Sequence, residues 1–220
     1  YMEFDFDIYN RDLNKILKDI VNPFFPKPLI AVGHSMGGCI ILSALLDHNT
    51  EINASILMSP MLGFKNELVL SSLTFFLNLI IDDKSYFLLS KPNMGRESPF
   101  KNNNVTSDRR RYERTQKLVR IDPSVRLWGV TLGWVNAAKK KLNSIRKEVR
   151  TNKLNTPILL INSSDDKVVD PKKNEEISKK LKNCQIVNIK GAEHELFMER
   201  DCFREIAWKK IDQFLKNLHV

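Results

Sequence analysis

Six consecutive residues, Gly33-His34-Ser35-Met36-Gly37-Gly38, have the types and spacing that make a serine hydroxyl reactive. An apolar run, Leu29 to Val32, precedes them, and another follows from Cys39 to Leu46, so the Gly-x-Ser-x-Gly falls between a strand and a helix. In that setting it is a nucleophile elbow. The turn is tight enough to hold Ser35 in a strained backbone conformation. Gly33 and Gly37 are expected to be the two places where a Cβ would keep strand and helix from passing. The hydroxyl then emerges at the carboxyl edge of a sheet, and the Met36 N–H, at a helix N-terminus, points toward any oxyanion formed there.

Serine oxygen is a poor nucleophile at neutral pH and needs a base held in its working tautomer by a carboxylate. The chain has four histidines. His34 adjoins Ser35 and is expected to point away from it; His48 lies at the end of the elbow helix and His219 on the C-terminal tail. His194 follows the last apolar run, in Gly191-Ala192-Glu193-His194-Glu195, and is the expected base. The acid is sought in Ser163-Ser164-Asp165-Asp166-Lys167-Val168-Val169-Asp170. Asp166 is the first choice, because the valines after it tuck back into a core and leave it at the loop apex. Asp165 is the second choice, and Asp170, before Pro171, reads as a helix N-cap. Glu193 and Glu195 cannot both face one imidazole and are expected at the surface or in support. The chain order Ser, Asp, His is that of the α/β-hydrolases.

The elements that must position these residues follow from periodicity. Ile8, Leu13, Ile16, Leu17 and Ile20 predict an amphipathic helix ended by Pro23, Pro26 and Pro28. The first strand and elbow helix run to about Asp47, and 53–60 reads as a second buried strand. The alternation resumes with a strand at 156–164, a helix at 171–181, a strand at 184–191 and a helix from about 202 to 218. These elements predict an α/β protein, the C-terminal half of a doubly wound and mostly parallel sheet. Its core comprises residues 1–62 and 154–220, and 63–153 form a helical cap insertion with helices near 67–81, 107–119 and 131–150 and a polar loop around 91–106. Partners for Ser35 belong just past the carboxyl ends of the strands.

A chain of 220 residues, 42% hydrophobic and 28% charged, can bury one substantial core. Its three cysteines lack metal-site spacing and suggest a reducing compartment, and no run is long and apolar enough to span a bilayer. The expected setting is the cytoplasm, with peripheral contact at the inner membrane. The net charge of +9 is concentrated between Lys65 and Lys153, where 19 Lys/Arg face 8 Asp/Glu. That bias, including Arg109-Arg110-Arg111, suggests contact with anionic headgroups; nucleic acid is not the expected partner. The apolar stretch Leu68 to Ile81 is suited to a lid over an acyl chain or to a membrane surface, and equally to packing on the core. The opening Tyr1-Met2-Glu3-Phe4-Asp5 reads as the interior of a longer protein.

The phrases GHSMGG (33–38), MSPML (58–62), the run from Asn104 to Lys140, DDKVVD (165–170) and GAEHELFMERDCFRE (191–205) together resemble bacterial lysophospholipases of the monoacylglycerol-lipase-like branch of α/β-hydrolases. The resemblance covers about residues 3–218. It implies a cofactor-free enzyme that hydrolyses the carboxylic ester of a single-chain lipid, with Ser35 as nucleophile, Asp166 as acid, His194 as base and Met36 N–H as one oxyanion donor. It also implies earlier strands and a His-Gly loop carrying the second donor, neither of which has a counterpart here. The first strand is therefore expected to have an unpaired edge, and the 220-residue chain alone to be poorly soluble or inactive. Two other readings stay open: another esterase, thioesterase or monoacylglycerol lipase on the same scaffold, and a non-catalytic lipid- or nucleic-acid-binding protein.

Overall fold

A computed structural model describes residues 5–25, 28–48, 50–80, 82, 99–125, 129–151 and 153–218. The first half of the polar loop expected around 91–106, residues 91–98, the last residue of the apolar stretch, Ile81, and His219 lie outside the described residues. The chain begins with helix α1 (Asp7–Ile16), which widens into a π turn (Leu17–Val21) and ends in a short helix α2 (Asn22–Phe24). The sequence places the end of this helix at Pro23, but Pro23 sits in the first turn of α2, where a missing N–H costs nothing. Strand β1 (Ile30–His34) leads into α3 (Met36–Leu46), and β2 (Ala54–Met58) follows. A long connection carries α4 (Glu67–Leu77), α5 (Arg109–Ile121) and α6 (Leu132–Thr151) before β3 (Ile158–Ser163). Helix α7 (Pro171–Ser178), β4 (Cys184–Ile189) and α8 (Asp201–Asn217) complete it.

The four strands form one parallel sheet in the order β1-β2-β3-β4. Parallel strands are stable when both faces are covered, and their side chains read accordingly: every residue of β2 and β3 is buried. Alternate residues supply two cores. Leu57, Ile158 and Leu160 pack with Leu42 and Leu45 of α3, Leu142 and Ile145 of α6 and Ile177 of α7. Ile56, Met58, Leu159 and Ile161 pack with Ala207, Ile211 and Phe214 of α8. Because α3 has apolar residues all round, it is enclosed between β1, α1 and α6.

At the outer strand the cover stops. β1 is the last strand on its side of the sheet, and Val32, on the face that α8 covers elsewhere, is 54% exposed. Ile16, Ile20, Phe24 and Phe25 are exposed on the neighbouring helices. Helix α4 is also only half covered. Leu70, Leu73 and Leu77 pack on Leu132 and Val135 of α6, whereas Leu68, Val69, Phe75, Phe76, Leu79 and Ile80 are open to solvent. Among the described residues no helix is long and apolar enough to cross a membrane.

An exposed apolar side chain on an unpaired parallel edge contributes little to folding but invites association. Replacing Val32 by lysine is expected to change the unfolding free energy by less than about 0.5 kcal/mol and to shift the sedimentation profile toward monomer. A large destabilisation in urea would mean that this side chain is covered.

Candidate active site

The chain leaves β1 and enters α3 through a single residue. Ser35 has φ 51° and ψ −118°, a left-sided backbone conformation that costs a non-glycine residue roughly 1–3 kcal/mol. Neighbouring hydrogen bonds fix it there. Its N–H donates to Met58 O at 3.0 Å, and its carbonyl accepts from Met61 N at 2.9 Å and Cys39 N at 3.2 Å. Met36 is the first residue of α3, so its N–H belongs to the unsatisfied donors of that helix terminus.

The glycines around the turn differ from the expectation in one respect. A Cβ on Gly33 would lie 2.6 Å from Ile41 Cδ1 and 2.8 Å from the Gly37 backbone, so this position admits glycine alone. A Cβ on Gly37 would meet nothing within 4 Å. The second constrained position is Gly38, where a Cβ would sit 2.8 Å from Pro60 Cβ and 3.3 Å from Gly33 O. Helix geometry explains the shift: Gly37 turns its Cα away from β1, and Gly38 faces the loop that leaves β2.

Asp166 and His194 come together from different strand ends. Asp166 follows β3, His194 follows β4, and Nδ1–H of His194 donates to Asp166 Oδ2 at 2.6 Å with both side chains almost wholly buried. The other carboxylate oxygen accepts from Val168 N at 2.7 Å and Val169 N at 3.0 Å. The proton on Nδ1 leaves Nε2 as the ring's acceptor. Asp165 is exposed, and its backbone N–H reaches Ala192 O at 3.1 Å. Asp170 caps α7, accepting from Lys172 N at 3.0 Å ahead of Pro171. Lys167 and Glu193, neighbours of the acid and the imidazole, pair at 2.5 Å and tie the two loops together. Beneath them, Asn162 Nδ2 donates to Asn188 Oδ1 and Pro171 O, and Asn174 Nδ2 donates to Asn162 Oδ1.

His34 does not point away from this group. Its ring lies 4.7 Å from the His194 ring, and its Nε2–H donates to the His194 carbonyl at 3.1 Å. The residue just before Ser35 therefore supports the histidine loop and sets His194 beside the elbow. Strand alternation alone puts His34 on the same face as Val32, opposite Gly33, with no indication that a loop from β4 folds over it.

The arginine run also behaves differently from the expectation. The Arg111 side chain is 12% exposed and is bonded to Asp108 Oδ2 at 2.6 Å, Asp201 Oδ1 at 2.5 Å and the Glu199 carbonyl. It is an internal cross-link between α5 and the start of α8. Arg109 pairs with Glu113 one turn along. Burial pushes the thiols of Cys39 and Cys184 up to about 12, which removes them as rival nucleophiles at neutral pH. Among the described residues no three His, Cys, Asp or Glu side chains are grouped to hold a metal.

Two outcomes follow from this geometry. Burial first, then the neighbouring His194, pulls the His34 imidazole below its ordinary 6.5. Below that pH the unfolded chain takes up a proton that the folded chain refuses, so stability is full above 6.5 and falls as pH drops toward the folded value. Urea unfolding between pH 7.5 and roughly pH 5 is expected to show that fall, and His34→Gln to flatten it. In the same assay Gly38→Ala is expected to destabilise by about 1–3 kcal/mol through overpacking on Pro60, whereas Gly37→Ala is expected to be neutral or stabilising by up to ~1 kcal/mol.

Known proteins resemble this chain in sequence and fold. Residues 4–201 match the Hydrolase_4 family, described as serine aminopeptidase, S33. The probable lysophospholipase L2 of Haemophilus influenzae is 24% identical over 217 residues, covering 96% of this chain and 67% of the relative. Lysophospholipase L2 of Escherichia coli is 26% identical over 226 residues, covering 95% and 64%. The chain thus spans about two thirds of the length of these relatives. Among solved structures, a soluble variant of monoglyceride lipase from Saccharomyces cerevisiae superposes with a TM-score of 0.66 at 20% identity, covering 94% of this chain and 68% of that one. The chain therefore belongs to the Hydrolase_4 family, among the serine-hydrolase lipases and esterases of the α/β-hydrolase fold.

Proposed function

We propose that this chain carries the catalytic residues of a carboxylic ester hydrolase acting on a single-chain lipid, a lysophospholipid or a close analogue. The observation that carries the reading is the buried 2.6 Å hydrogen bond from His194 to Asp166, with the His194 ring 4.7 Å from that of His34, the residue before a serine held at φ 51°. Ser35 is the nucleophile, His194 the base and Asp166 the group that holds the imidazole in the tautomer with Nε2 free. His194 takes the Ser35 proton as the hydroxyl attacks the ester carbonyl, and the Met36 N–H meets the oxyanion. The tetrahedral species collapses, the alcohol leaves with the proton from His194, and water repeats the sequence on the acyl-serine.

Residues 63–153 act as a cap in this reading. The exposed apolar side of α4, from Leu68 to Ile80, suits an acyl chain, and the basic excess of the same segment suits an anionic headgroup. With Arg111 committed internally, that charge comes from residues such as Arg110 and Lys117. The names of the relatives, lysophospholipase and monoglyceride lipase, support the lipid ester as substrate class.

A fluorophosphonate probe is expected to label the full chain, or a longer form that includes it, and Ser35→Ala to abolish labelling. Fatty acid release is expected from lysophosphatidylcholine at least as fast as from monoacylglycerol. Asp166→Asn is expected to lower turnover by about 10⁴ with the fold intact. Release of amino acids from aminoacyl anilides without any lipid hydrolysis would overturn the substrate class, and an unlabelled Ser35 would overturn the enzyme reading.

A further inference from the structure

We propose that Glu199 is a positioning residue: it fastens the loop bearing His194 to residues 103–111 of the long connection, so that the docking of that segment governs how the imidazole is held. Glu199 is fully buried, immediately after the 3₁₀ turn Leu196–Met198 that follows the histidine loop. Burying a carboxylate is costly unless its oxygens are satisfied, and here each one is met from two directions. Oε1 accepts from Glu193 N at 2.9 Å and from Ser107 N at 3.0 Å. Oε2 accepts from Arg200 N at 3.0 Å and from the Ser107 hydroxyl at 2.5 Å. One oxygen thus holds the residue next to His194 and the backbone of the connection at once.

The surrounding bonds run between the same two segments. Glu195 N, on the other side of His194, donates to Val105 O at 2.7 Å. Thr106 Oγ1 donates to Met198 O at 2.7 Å, Arg200 Nε to Ser107 Oγ at 3.0 Å, and Arg111 to the Glu199 carbonyl. Asn103 folds the connecting residues into shape, accepting from Val105 N at 2.9 Å and Thr106 N at 3.3 Å. The residues flanking His194 on both sides, Glu193 and Glu195, are therefore anchored through their backbones to one segment of the connection. The Glu199 carboxylate joins the Glu193 backbone to Ser107 of the connection, and it does so with directional hydrogen bonds, which fix loop geometry more tightly than a point charge would.

The inference rests on the assignment of His194 as base, and its test separates the two. Glu199→Gln keeps the shape but presents an amide NH₂ where N–H donors point; Ser107→Ala leaves the backbone bonds of the histidine loop in place and removes the hydroxyl that donates to Glu199 Oε2 and accepts from Arg200 Nε. Three quantities are measured in the full chain: the fluorophosphonate labelling rate of Ser35 against pH, the low-field proton resonance of the His194–Asp166 hydrogen bond with its solvent-exchange rate, and the thermal unfolding midpoint.

Glu199→Gln is expected to slow labelling on the order of 10–100-fold, to shift the limb of the pH profile that reports the base, and to speed exchange of the low-field proton. Ser107→Ala is expected to do the same to a lesser degree without a change in unfolding midpoint. A folded Glu199→Gln that labels at the native rate and keeps its low-field proton overturns the proposal. If Glu199→Gln does not fold, the same two readouts in Ser107→Ala decide it. If the native protein is not labelled, the reading of Ser35 and His194 as catalytic fails, and the exchange rate of the His194 proton still decides whether Glu199 positions that ring.

Discussion

A strand that ends at His34 and a helix that starts at Met36 leave one residue in which to reverse the chain, and the rest of the structure is arranged around keeping that residue where it is. Ser35 can hold φ 51° only because β2 supplies a carbonyl to its N–H and the loop after β2 supplies a donor to its carbonyl. Those bonds require β1 and β2 in parallel register, with His34 opposite Met58. They also require α3 to lie close against both, and Gly33 and Gly38 permit that approach while Leu42 and Leu45 reward it with burial. The strain is local, whereas the packing that sustains it extends across the larger core.

The second consequence of this layout is that Asp166 and His194, the proposed partners of Ser35, arrive on loops, and loops need their own anchorage. The acid loop is held by two of its own amides folding back on Asp166 and by the Asn162, Asn174 and Asn188 side chains beneath it. The histidine loop is held from the side by His34 and from behind by Glu199. The long connection between β2 and β3 touches both loops. Gly63 O accepts from Asp170 N, Phe64 bridges to Val169, and Ser107 reaches Glu199. The connection is thus bonded to the loops that carry the proposed acid and base.

Where these anchorages end, apolar surface remains. Val32 and the outer side chains of α1 and α2 lie along the free edge of β1, and the outer side of α4 lies on the connection. The two surfaces differ in origin. The first is the flank of a sheet whose relatives, by their length, have more chain than this one. The second is a helix too apolar for one stripe of contact with α6, and in the proposed function that excess meets a lipid.

Local sequence determined much of this protein. Short continuous apolar runs in β2 and β3, a period near 3.6 in α1 and α8, and glycine, proline and aspartate at the junctions are consequences of backbone sterics and of which side chains water rejects. Among the described residues they placed the four strands and the longer helices to within a few residues, and they put Ser35, Asp166 and His194 at carboxyl ends of strands. Tertiary structure decided what those rules cannot reach. Three aspartates crowd one loop, and only the fold of that loop sends Asp166 to His194, Asp170 to a helix terminus and Asp165 to solvent. Gly37 and Gly38 are equivalent in sequence until Pro60 comes to rest against one of them. Arg111 differs from Arg110 because helix α5 turns it toward Asp201, 90 residues away. His34 and Glu199 acquire their partners from loops folded over them, since a hydrogen bond depends on angle and distance between segments that no local pattern relates.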